Sequence, residues 1–255
     1  MNLEEYHKMH ALERNYWWFQ GRRRVILSIL EKFRKSGNGP ATVLDIGCGT
    51  GMLLEDLQKL GLAVGLDFSM VALEYCRQRG LKSLAQADVR YIPVKSGSVD
   101  IITALDLIEH IKDDHGLMAE FFRVLKPGGI AIMSVPAHKS LWSGHDVALH
   151  HFRRYEKSEF LALVKGAGLQ PTKYSYGMAT AFFPAMVFRR AKNLLLGPSS
   201  DSAVKTDEFR LPGWVNTVLR KTVEAEARWL TQRNLPFGLS LLCVAEKPEA
   251  SQAVV

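Results

Sequence analysis

The chain has 255 residues, of which 47% are hydrophobic and 23% charged, a composition typical of one large α/β domain with appendages or of two small domains. This composition excludes a disordered, collagen-like or disulfide-stabilised protein. The N-terminus is too polar for a secretory signal, and no apolar run approaches the roughly 18 residues of a membrane-spanning helix. We therefore expect a soluble, cytoplasmic protein whose cysteines Cys48, Cys76 and Cys243 are reduced and structural.

The net charge of +7 is unevenly distributed along the chain. Residues 1–39 carry eight basic against four acidic side chains and residues 182–233 carry nine against five, whereas residues 40–181 are neutral. Two basic flanks around a neutral middle indicate that the flanks cover an anionic ligand or lie against an anionic surface. Scattered solvated lysines and arginines are the alternative.

The middle of the chain alternates between strands and helices. Hydrophobic patterns and glycine stops predict strands at 41–46, 62–67, 81–88, 98–105, 130–135 and 171–176, and helices at 52–60, 69–79, 113–125 and 157–166. Ser69 is the predicted N-cap of the second helix, and residues 126–129 are a predicted turn. This alternation is typical of a parallel sheet covered by helices on both faces.

The flanks do not follow this rhythm. Residues 1–39 predict a helix with an aromatic cluster, 178–196 and 212–233 predict two helices joined by the Gly/Pro/Ser-rich 197–203, and 239–246 predicts a strand. Pro184 excludes a continuous ideal helix over 181–196. We therefore predict an N-terminal helical lid (1–39), a core (40–177 and 237–248) and a helical insertion that caps the substrate (178–236).

A glycine-rich loop lies where the first strand turns into the first helix. It reads Asp45-Ile46-Gly47-Cys48-Gly49-Thr50-Gly51, and such glycines let a ligand approach the backbone beside the free N–H groups of a helix N-terminus. Dinucleotide sites favour G-x-G-x-x-G, whereas this loop reads G-x-G-x-G after an acid that would repel a pyrophosphate. The loop predicts a ligand with a cation near Asp45, and a simple tight turn is the alternative.

Two further acids follow the next strands. Asp67 has two acceptor oxygens for the hydroxyls of a ribose, and Asp88 with the Val89 N–H has the groups to recognise an adenine. Open α/β sheets bind ligands at the carboxyl ends of their strands. Together the three acids predict an adenosine with a zwitterionic tail, although each acid alone is compatible with a helix cap.

At this point the chain resembles the class I S-adenosylmethionine-dependent methyltransferases. The resemblance covers residues 40–136 and rests on VLDIGCGTG (43–51), GLDFS (65–69), QADVRYIPVKSGSVDII (86–102), DLIEHI (106–111) and RVLKPGGIAIMSVP (123–136). It implies an α/β, Rossmann-like, seven-stranded and mostly parallel sheet with helices on both faces and an antiparallel strand 7 at 239–246. It also implies S-adenosylmethionine as cofactor and S-adenosylhomocysteine as product.

The resemblance assigns the cofactor contacts to particular positions of this chain. The predicted cofactor-binding residues are Asp45, Gly47, Cys48, Gly49, Gly51, Asp67, Phe68, Ser69, Asp88, Val89, Leu105 and His110. A weaker resemblance links YWWFQGRRR (16–24) and HFRRY (151–155) to a bacterial subgroup of these enzymes. The substrates of that subgroup are mostly unassigned, so it names no acceptor.

Histidines are the candidates for proton transfer from an acceptor hydroxyl. Methyl transfer itself needs mainly alignment, but a hydroxyl acceptor must lose its proton near neutral pH. Among the histidines at the predicted carboxyl edge, we favour His110 and His151 as catalytic; a role in orienting the loop or a neighbouring group is the alternative. Asp106-x-x-Glu109-His110 resembles the E-x-x-E-H motif of metal-assisted O-methyltransferases, but the shorter aspartate leads us to expect no metal.

Aromatic and basic residues are the candidates for binding the acceptor. The predicted substrate-binding residues are Trp17, Trp18, Arg22, Arg153, Arg154 and Tyr155. The rings would cover the sulfonium and the arginines would bind a phosphate or carboxylate, with core packing and solvation as alternatives. The apolar segment 181–196, flanked by Arg189, Arg190 and Lys192, would cap an apolar pocket or touch the inner face of a membrane.

The sequence therefore predicts an S-adenosylmethionine-dependent methyltransferase that acts on a small-molecule, lipid-linked or glycan-linked acceptor, at oxygen in the first instance. A pI of about 9.3 also suggests nucleic-acid methylation, but the chain lacks the N/D-P-P-Y/F tetrad and an appended nucleic-acid module, so we expect no nucleic-acid partner. The loop spacing argues against a nucleotide-dependent oxidoreductase. A cofactor-binding regulatory subunit without activity is a further alternative.

Overall fold

A seven-stranded sheet forms the centre of the computed structural model, which describes residues 3–34, 39–196 and 211–249. The strand order is β3-β2-β1-β4-β5-β7-β6. β7 runs antiparallel to β5 and β6, and the other pairs are parallel, which confirms the predicted Rossmann-like sheet. The strands are β1 (Ala41–Ile46), β2 (Gly61–Asp67), β3 (Leu84–Gln86), β4 (Val99–Leu105), β5 (Leu125–Pro136), β6 (Gln170–Gly177) and β7 (Ser240–Glu246).

Helices pack on both faces of this sheet. They are α1 (Leu3–Leu12), α2 (Trp17–Phe33), α3 (Leu54–Leu57), α4 (Met70–Gln78), α5 (Asp114–Val124), α6 (Gly144–Ala148), α7 (Lys157–Gly166), α8 (Ala179–Leu196) and α9 (Gly213–Gln232). Successive side chains of a strand point to opposite faces, so Ile102 belongs to the core shared with α5 and α7 and Ile101 to the core shared with α2, α4 and α9. The sheet is therefore buried on both sides, as its apolar strands predict.

The predicted helix starts agree with local hydrogen bonds. The Ser69 side chain accepts a hydrogen bond from the Ala72 N–H at 3.4 Å and caps α4. The Asp113 carboxylate accepts one from the Gly116 N–H at 2.9 Å and caps α5. Both caps satisfy backbone donors that the helix itself leaves unpaired.

Several predicted boundaries differ from the structure. The third strand covers only Leu84–Gln86, and the first core helix is the short α3 followed by a 3-10 turn at Gln58–Leu60. Residues 126–129 belong to β5 rather than to a separate turn, because a register shift between Val99 and Ile101 absorbs the extra residues. The N-terminal flank contains two helices, α1 and α2, where the sequence predicts one.

The helix predicted over 178–196 is α8, and it continues through Pro184. Pro184 is the sixth residue of the helix, beyond the first turn, so α8 continues there without one of its backbone hydrogen bonds. The linker 197–203 and the side chains of Arg189, Arg190 and Lys192 lie outside the described residues. Across the described ranges, no helix has both the length and the apolar character required to cross a bilayer.

The N-terminal flank and the insertion pack against each other. A Cβ built on Gly21 of α2 would lie 2.6 Å from Cγ1 of Val223 in α9, so the two helices approach closely at this point. The Trp17 N–H donates to Asn216 Oδ1 at 2.9 Å, and Asn216 Nδ2 donates to the Asn15 carbonyl at 2.8 Å. Residues almost 200 positions apart thus form one wall above the sheet.

Candidate active site

A cavity of about 1240 Å³ lies at the carboxyl ends of β1, β2 and β4, under α1, α2 and α8. This volume exceeds the roughly 300–1,000 Å³ of an ordinary small-molecule pocket and has room for a nucleoside cofactor and an acceptor together. The predicted site residues on its wall are Trp17, Trp18, Arg22, Asp45, Gly47, Cys48, Gly49, Asp67, Phe68, Ser69, Asp88, Val89, Leu105, His110, His151 and Arg154. Most of the predicted positions thus face one space.

The glycine loop (47–51) forms the floor of the cavity. Gly49 has φ 55° and Gly51 has φ 84°, a region that side chains with a Cβ rarely adopt. The Gly51 position is packed from below, because a Cβ there would lie 2.6 Å from Leu81 Cδ1 and 2.8 Å from Cys76 Sγ. Gly51 is not among the residues that line the cavity, and its predicted contact with the cofactor stays a prediction.

Asp45 is a buried carboxylic acid at the end of β1. Its Oδ1 accepts a hydrogen bond from the Thr103 hydroxyl at 2.6 Å. The pKa of Asp45 is raised to about 7, mainly by burial. The Thr103 hydrogen bond lowers this pKa, and the charge of Asp67 raises it. A ligand cation beside Asp45 would favour the ionised form.

Asp67 connects β2 to the glycine loop. Its Oδ2 accepts from the Gly49 N–H at 2.9 Å and its Oδ1 from the Ser69 N–H at 2.8 Å. Burial raises the pKa of this carboxyl, and the two amide hydrogen bonds act in the opposite direction. Each oxygen retains a further lone pair that can accept from a hydroxyl.

Tyr6 of α1 lies at the same carboxylate and was missed by the sequence reasoning. Its hydroxyl interacts with Asp67 and Ser69, and burial together with the charge of Asp67 raises its pKa to about 12. Nothing in the residues around position 6 indicates this contact, because it depends on how α1 folds over the loop. Tyr6 therefore lies where the sequence analysis expects the ribose.

Asp88 is more exposed than the other two acids. Its oxygens accept hydrogen bonds from the Arg90 guanidinium at 2.6 and 3.0 Å, and this contact lowers the pKa of Asp88. The neighbouring Val89 is buried against the cavity. A ligand amine at Asp88 would share the carboxylate with Arg90.

A buried ion pair fixes α1 and the following turn over the glycine loop. Glu13 and Arg79 are 3–4% exposed and pair with each other. Glu13 Oε2 accepts from the Thr50 hydroxyl at 2.6 Å, and Arg79 Nε donates to the Thr50 carbonyl at 2.7 Å. The N-terminal flank is thus attached to the loop by charged groups that the sequence analysis does not single out.

Glu109, His110 and His151 meet at the other end of the cavity. Their ligating atoms all lie within 4.8 Å of one another. The rings of His110 and His151 are 4.7 Å apart between centroids and nearly perpendicular. Burial lowers the pKa of His110 to about 3, and the adjacent His151 acts in the same direction, so the His110 ring is neutral near pH 7.

Asp146, in α6, orients His151. Asp146 Oδ1 lies 3.0 Å from His151 Nδ1 and accepts a hydrogen bond from Arg154 Nε at 2.7 Å. Burial alone would raise the pKa of Asp146, but the contacts with His151 and Arg154 outweigh it and lower the pKa. The Asp146 pairing leaves Nε2 of His151 as the nitrogen available to the cavity.

Asp106 is held away from this cluster. It has φ 49°, its Oδ2 pairs with the Arg22 guanidinium at 2.5 Å, and its Oδ1 accepts from the Ser134 hydroxyl at 2.8 Å. Arg22 lies on the cavity wall, but this ion pair occupies its guanidinium. The spacing of residues 106–110 does not indicate that Asp106 is separated from Glu109 and His110. This separation depends on the contacts of Asp106 with α2 and β5.

Arg153 and Tyr155, two of the predicted substrate-binding residues, are not among the residues that line the cavity. Arg153 and the Tyr155 hydroxyl both donate to Asp114 Oδ2, each at 2.7 Å. Tyr155 pairs with Ala137 in an extended segment, where alternate side chains point in opposite directions, and Arg154 faces the cavity instead. The HFRRY segment therefore divides its side chains between the site and the core.

Trp17 and Trp18 serve both the cavity and the core. Trp17 is buried, its ring lies 5.6 Å from that of Trp18 in an edge-to-face arrangement, and both pack with the cluster that includes α9. The buried Trp17 Nε1–H has no hydrogen-bond partner among the residues described. Such a buried donor without a partner is uncommon in folded proteins.

The opposite wall of the cavity is apolar. It includes Ala181, Pro184, Ala185 and Phe188 of α8 and Leu219 of α9. On the same two helices, Phe183, Val187 and Trp214 are large apolar side chains exposed to solvent. The cavity therefore has a polar end, an apolar wall and apolar surface beside it.

The central part of the chain matches a known family. Residues 44–133 match a family model described as a methyltransferase domain. A probable S-adenosylmethionine-dependent methyltransferase of Mycolicibacterium smegmatis is 30% identical over 168 residues, which cover 62% of this chain and 61% of the relative. The ubiquinone biosynthesis O-methyltransferase of Xanthomonas oryzae pv. oryzae is 36% identical over 101 residues, which cover 37% of this chain and 42% of the relative. The matches thus span less than two thirds of either relative.

Solved structures share the fold. Phosphoethanolamine N-methyltransferase 2 of Haemonchus contortus, in complex with S-adenosyl-L-methionine, superposes with a TM-score of 0.58 at 21% identity, covering 88% of this chain and 52% of that one. The matched family region contains the glycine loop and the acids at 45, 67 and 88. Residues 44–133 are thus similar to a methyltransferase domain, and the solved structure shows that the fold of the chain is shared with an S-adenosylmethionine-binding protein.

Proposed function

We propose that the chain transfers the methyl group of S-adenosylmethionine to a hydroxyl oxygen of an acceptor with a largely apolar body. One observation carries this proposal: a single cavity has the acids 45, 67 and 88 at one end and Glu109, His110 and His151 at the other. When bound, the cofactor supplies a methyl group already activated by the sulfonium. The contribution of the chain is to align the two molecules and to exclude water.

The cofactor end has groups of the right charge for a zwitterionic nucleoside. Asp45 supplies a buried anion for the ammonium group, and Asp67 supplies lone pairs for the ribose hydroxyls. The glycine loop exposes backbone beside the helix that follows, where a carboxylate is favoured. Tyr6 would move aside for the ribose or add a hydrogen bond to it.

The acceptor end has groups that act on a hydroxyl. Nε2 of His151 has no hydrogen-bond partner in the described part of the chain, its orientation is fixed through Asp146, and His110 is neutral beside it. We assign the catalytic roles to these two histidines, either by taking the proton or by polarising the oxygen. In the balanced reaction the acceptor O–H bond breaks, an O–CH₃ bond forms, the C–S bond breaks with its electron pair on sulfur, and the proton leaves to water.

The walls favour an apolar acceptor over a strongly anionic one. Arg22 and Arg154 already pair with Asp106 and Asp146, whereas α8 and α9 offer aliphatic and aromatic side chains. Oxygen as the methylated atom is also supported by relatives named ubiquinone biosynthesis O-methyltransferase. Exposed Phe183, Val187 and Trp214 beside the cavity support a lipid-linked acceptor presented at a membrane surface.

Ligand binding gives the first test. S-adenosylhomocysteine should raise the melting temperature of the full chain, because a ligand that binds only the native state stabilises it, whereas NAD should leave it unchanged. Stabilisation by NAD alone would overturn the proposal and support the oxidoreductase alternative. Methyl transfer is then measured with radiolabelled S-adenosylmethionine and a series of phenols and catechols that carry alkyl or prenyl chains.

A further inference from the structure

We propose that Glu109, His110 and His151 form a binding site for a first-row divalent transition-metal ion at the acceptor end of the cavity. This inference deepens the proposed function, on which it rests, since the ion would act on the oxygen that receives the methyl group. It departs from the sequence expectation of no metal. It also differs from the E-x-x-E-H alternative, because it replaces Asp106 with a histidine from a distant segment of the chain.

The cluster contains ligating atoms without partners. Glu109 is fully buried, and neither of its carboxylate oxygens has a hydrogen-bond partner among the described residues. The same holds for the buried Nε2 of His151, which lies 3.9 Å from Glu109 Oε1. Burying a carboxylate without a partner is costly, and a bound cation removes that cost.

The supporting contacts orient these atoms toward one point. Asp146 faces Nδ1 of His151, which fixes the ring and leaves Nε2 to coordinate. This carboxylate–histidine arrangement is the one that metal-ligating histidines ordinarily have. The His110 ring is hydrogen-bonded to the backbone of His150, and the Phe152 N–H donates to the Glu109 carbonyl at 2.8 Å. The segment after α6 is thereby attached to the segment after β4.

The neighbouring cations do not prevent the binding of a metal ion. Arg22 and Arg154 influence Glu109, but each is paired with its own carboxylate, Asp106 at 2.5 Å and Asp146 at 2.7 Å. The ion would therefore enter a site whose two flanking arginine charges are locally compensated. Asp106, held by Arg22 and Ser134, contributes charge nearby but no ligating atom to the cluster.

The donor set indicates the class of ion. Two imidazoles and one carboxylate suit Mn²⁺, Fe²⁺, Co²⁺ or Zn²⁺, whereas Mg²⁺ and Ca²⁺ prefer oxygen ligands. Three protein ligands leave further coordination positions open for the acceptor oxygen. With the ion bound, His110 and His151 would act as its ligands and would not take the proton themselves. The ion would lower the pKa of an acceptor hydroxyl, and the hydroxyl proton would pass to water.

Metal binding is tested directly on the full chain. We expect the protein, after dialysis against EDTA and then buffer, to bind one equivalent of Co²⁺ with a visible absorption band and a measurable heat of binding. Glu109→Gln and His151→Gln should each weaken Co²⁺ binding by at least about tenfold. His115→Gln, which removes an exposed histidine elsewhere in the chain, is the matched control and should bind as the wild type does.

Asp106→Asn separates this site from the motif alternative. If Asp106 is not a ligand, Asp106→Asn should weaken Co²⁺ binding less than Glu109→Gln and His151→Gln do, because it removes the charge that compensates Arg22 but no ligating atom. A tenfold loss in Asp106→Asn with no loss in His151→Gln would overturn the proposed ligand set. Circular dichroism and S-adenosylhomocysteine binding verify that each variant is folded.

The metal site and the methyltransferase function fail in distinguishable ways. Absence of stoichiometric Co²⁺, Mn²⁺ or Zn²⁺ binding in a chain that binds S-adenosylhomocysteine would overturn the metal site alone. Binding of Co²⁺ without any binding of S-adenosylhomocysteine would overturn the proposed function. With an acceptor in hand, EDTA should abolish methyl transfer and Mn²⁺ or Co²⁺ should restore it.

Discussion

Asp67 Oδ2 accepts a hydrogen bond from the Gly49 N–H at 2.9 Å, so the acid that follows β2 also shapes the loop that follows β1. Asp67 therefore has two roles in the proposed cofactor site. It holds the glycine loop in place, and it would accept hydrogen bonds from the ribose hydroxyls. Replacement of Asp67 should therefore affect both the contact with the ribose and the glycine loop.

Asp67→Ala should weaken S-adenosylhomocysteine binding by about 1.5–3 kcal/mol, because charge-assisted hydrogen bonds are lost. Isothermal titration calorimetry measures this change. Asp88→Asn is the control, since the Asp88 carboxylate is more exposed and already shared with Arg90, and its effect should be smaller. Unchanged affinity in Asp67→Ala would remove the basis for the ribose assignment.

Binding should depend on pH through Asp45. Its pKa is raised to about 7, so near neutrality much of the ligand-free protein carries a neutral Asp45 that does not attract an ammonium group. Affinity for S-adenosylhomocysteine should therefore increase about tenfold from pH 6 to pH 8, as the competent fraction grows. Asp45→Asn should lose this dependence, and a wild-type affinity independent of pH would contradict the assignment.

The same carboxyl predicts a stability effect of opposite sign. A folded-state pKa of about 7 lies above the ordinary aspartate value of 3.8, so the folded chain holds a proton that the unfolded chain releases within this window. In the absence of ligand, the contribution of Asp45 to the free energy of unfolding should fall as pH rises from 4 to 7. Urea unfolding of the wild type and of Asp45→Asn at several pH values isolates this contribution.

The buried pair of Glu13 and Arg79 should be important for stability. Glu13→Ala leaves Arg79 buried without its main partner and should lower the free energy of unfolding by about 3 kcal/mol. Arg14→Ala removes an exposed pair with Glu55 and should change it by less than about 1 kcal/mol. Equal effects of the two substitutions in urea unfolding would show that burial of the Glu13 pair has no special weight.

Gly21→Ala tests the contact between α2 and α9. Alanine ordinarily stabilises a helix relative to glycine by about 1 kcal/mol, but here its Cβ would overlap Val223. We expect a net destabilisation of about 1–3 kcal/mol in the wild-type background. In a Val223→Ala background the same change should be neutral or stabilising; destabilisation in both backgrounds would contradict the close approach.

The sheet was predictable because its signals are local. Apolar runs such as 41–46 and glycine stops such as Gly61 and Gly80 identify strands and helices from a few neighbouring residues. The antiparallel β7 came from the family resemblance instead. The extended start of β5 was missed because a register shift depends on tertiary neighbours.

The sequence predicts the residues at the cofactor end of the cavity better than those at the acceptor end. The cofactor end lies on strand ends in a fixed order, so the sequence alone places Asp45, Asp67 and Asp88 at one edge of the sheet. The acceptor end joins residues from distant segments. Asp146 contacts His151, and Asp114 accepts hydrogen bonds from Arg153 and Tyr155. The spacing of these residues along the sequence does not indicate such contacts.

The insertion that contains α8 and α9 is attached to the sheet at two neighbouring points, and this attachment bears on how its sequence can vary. Gly177, at the end of β6, is the register partner of Ser240, at the start of β7, so the chain leaves and re-enters the sheet at adjacent points. The β6–β7 pairing can therefore stay constant while the segment between the two strands changes in length. A replacement for α8 and α9 would give the acceptor wall new side chains, provided that it keeps the surface of α9 that packs on α2.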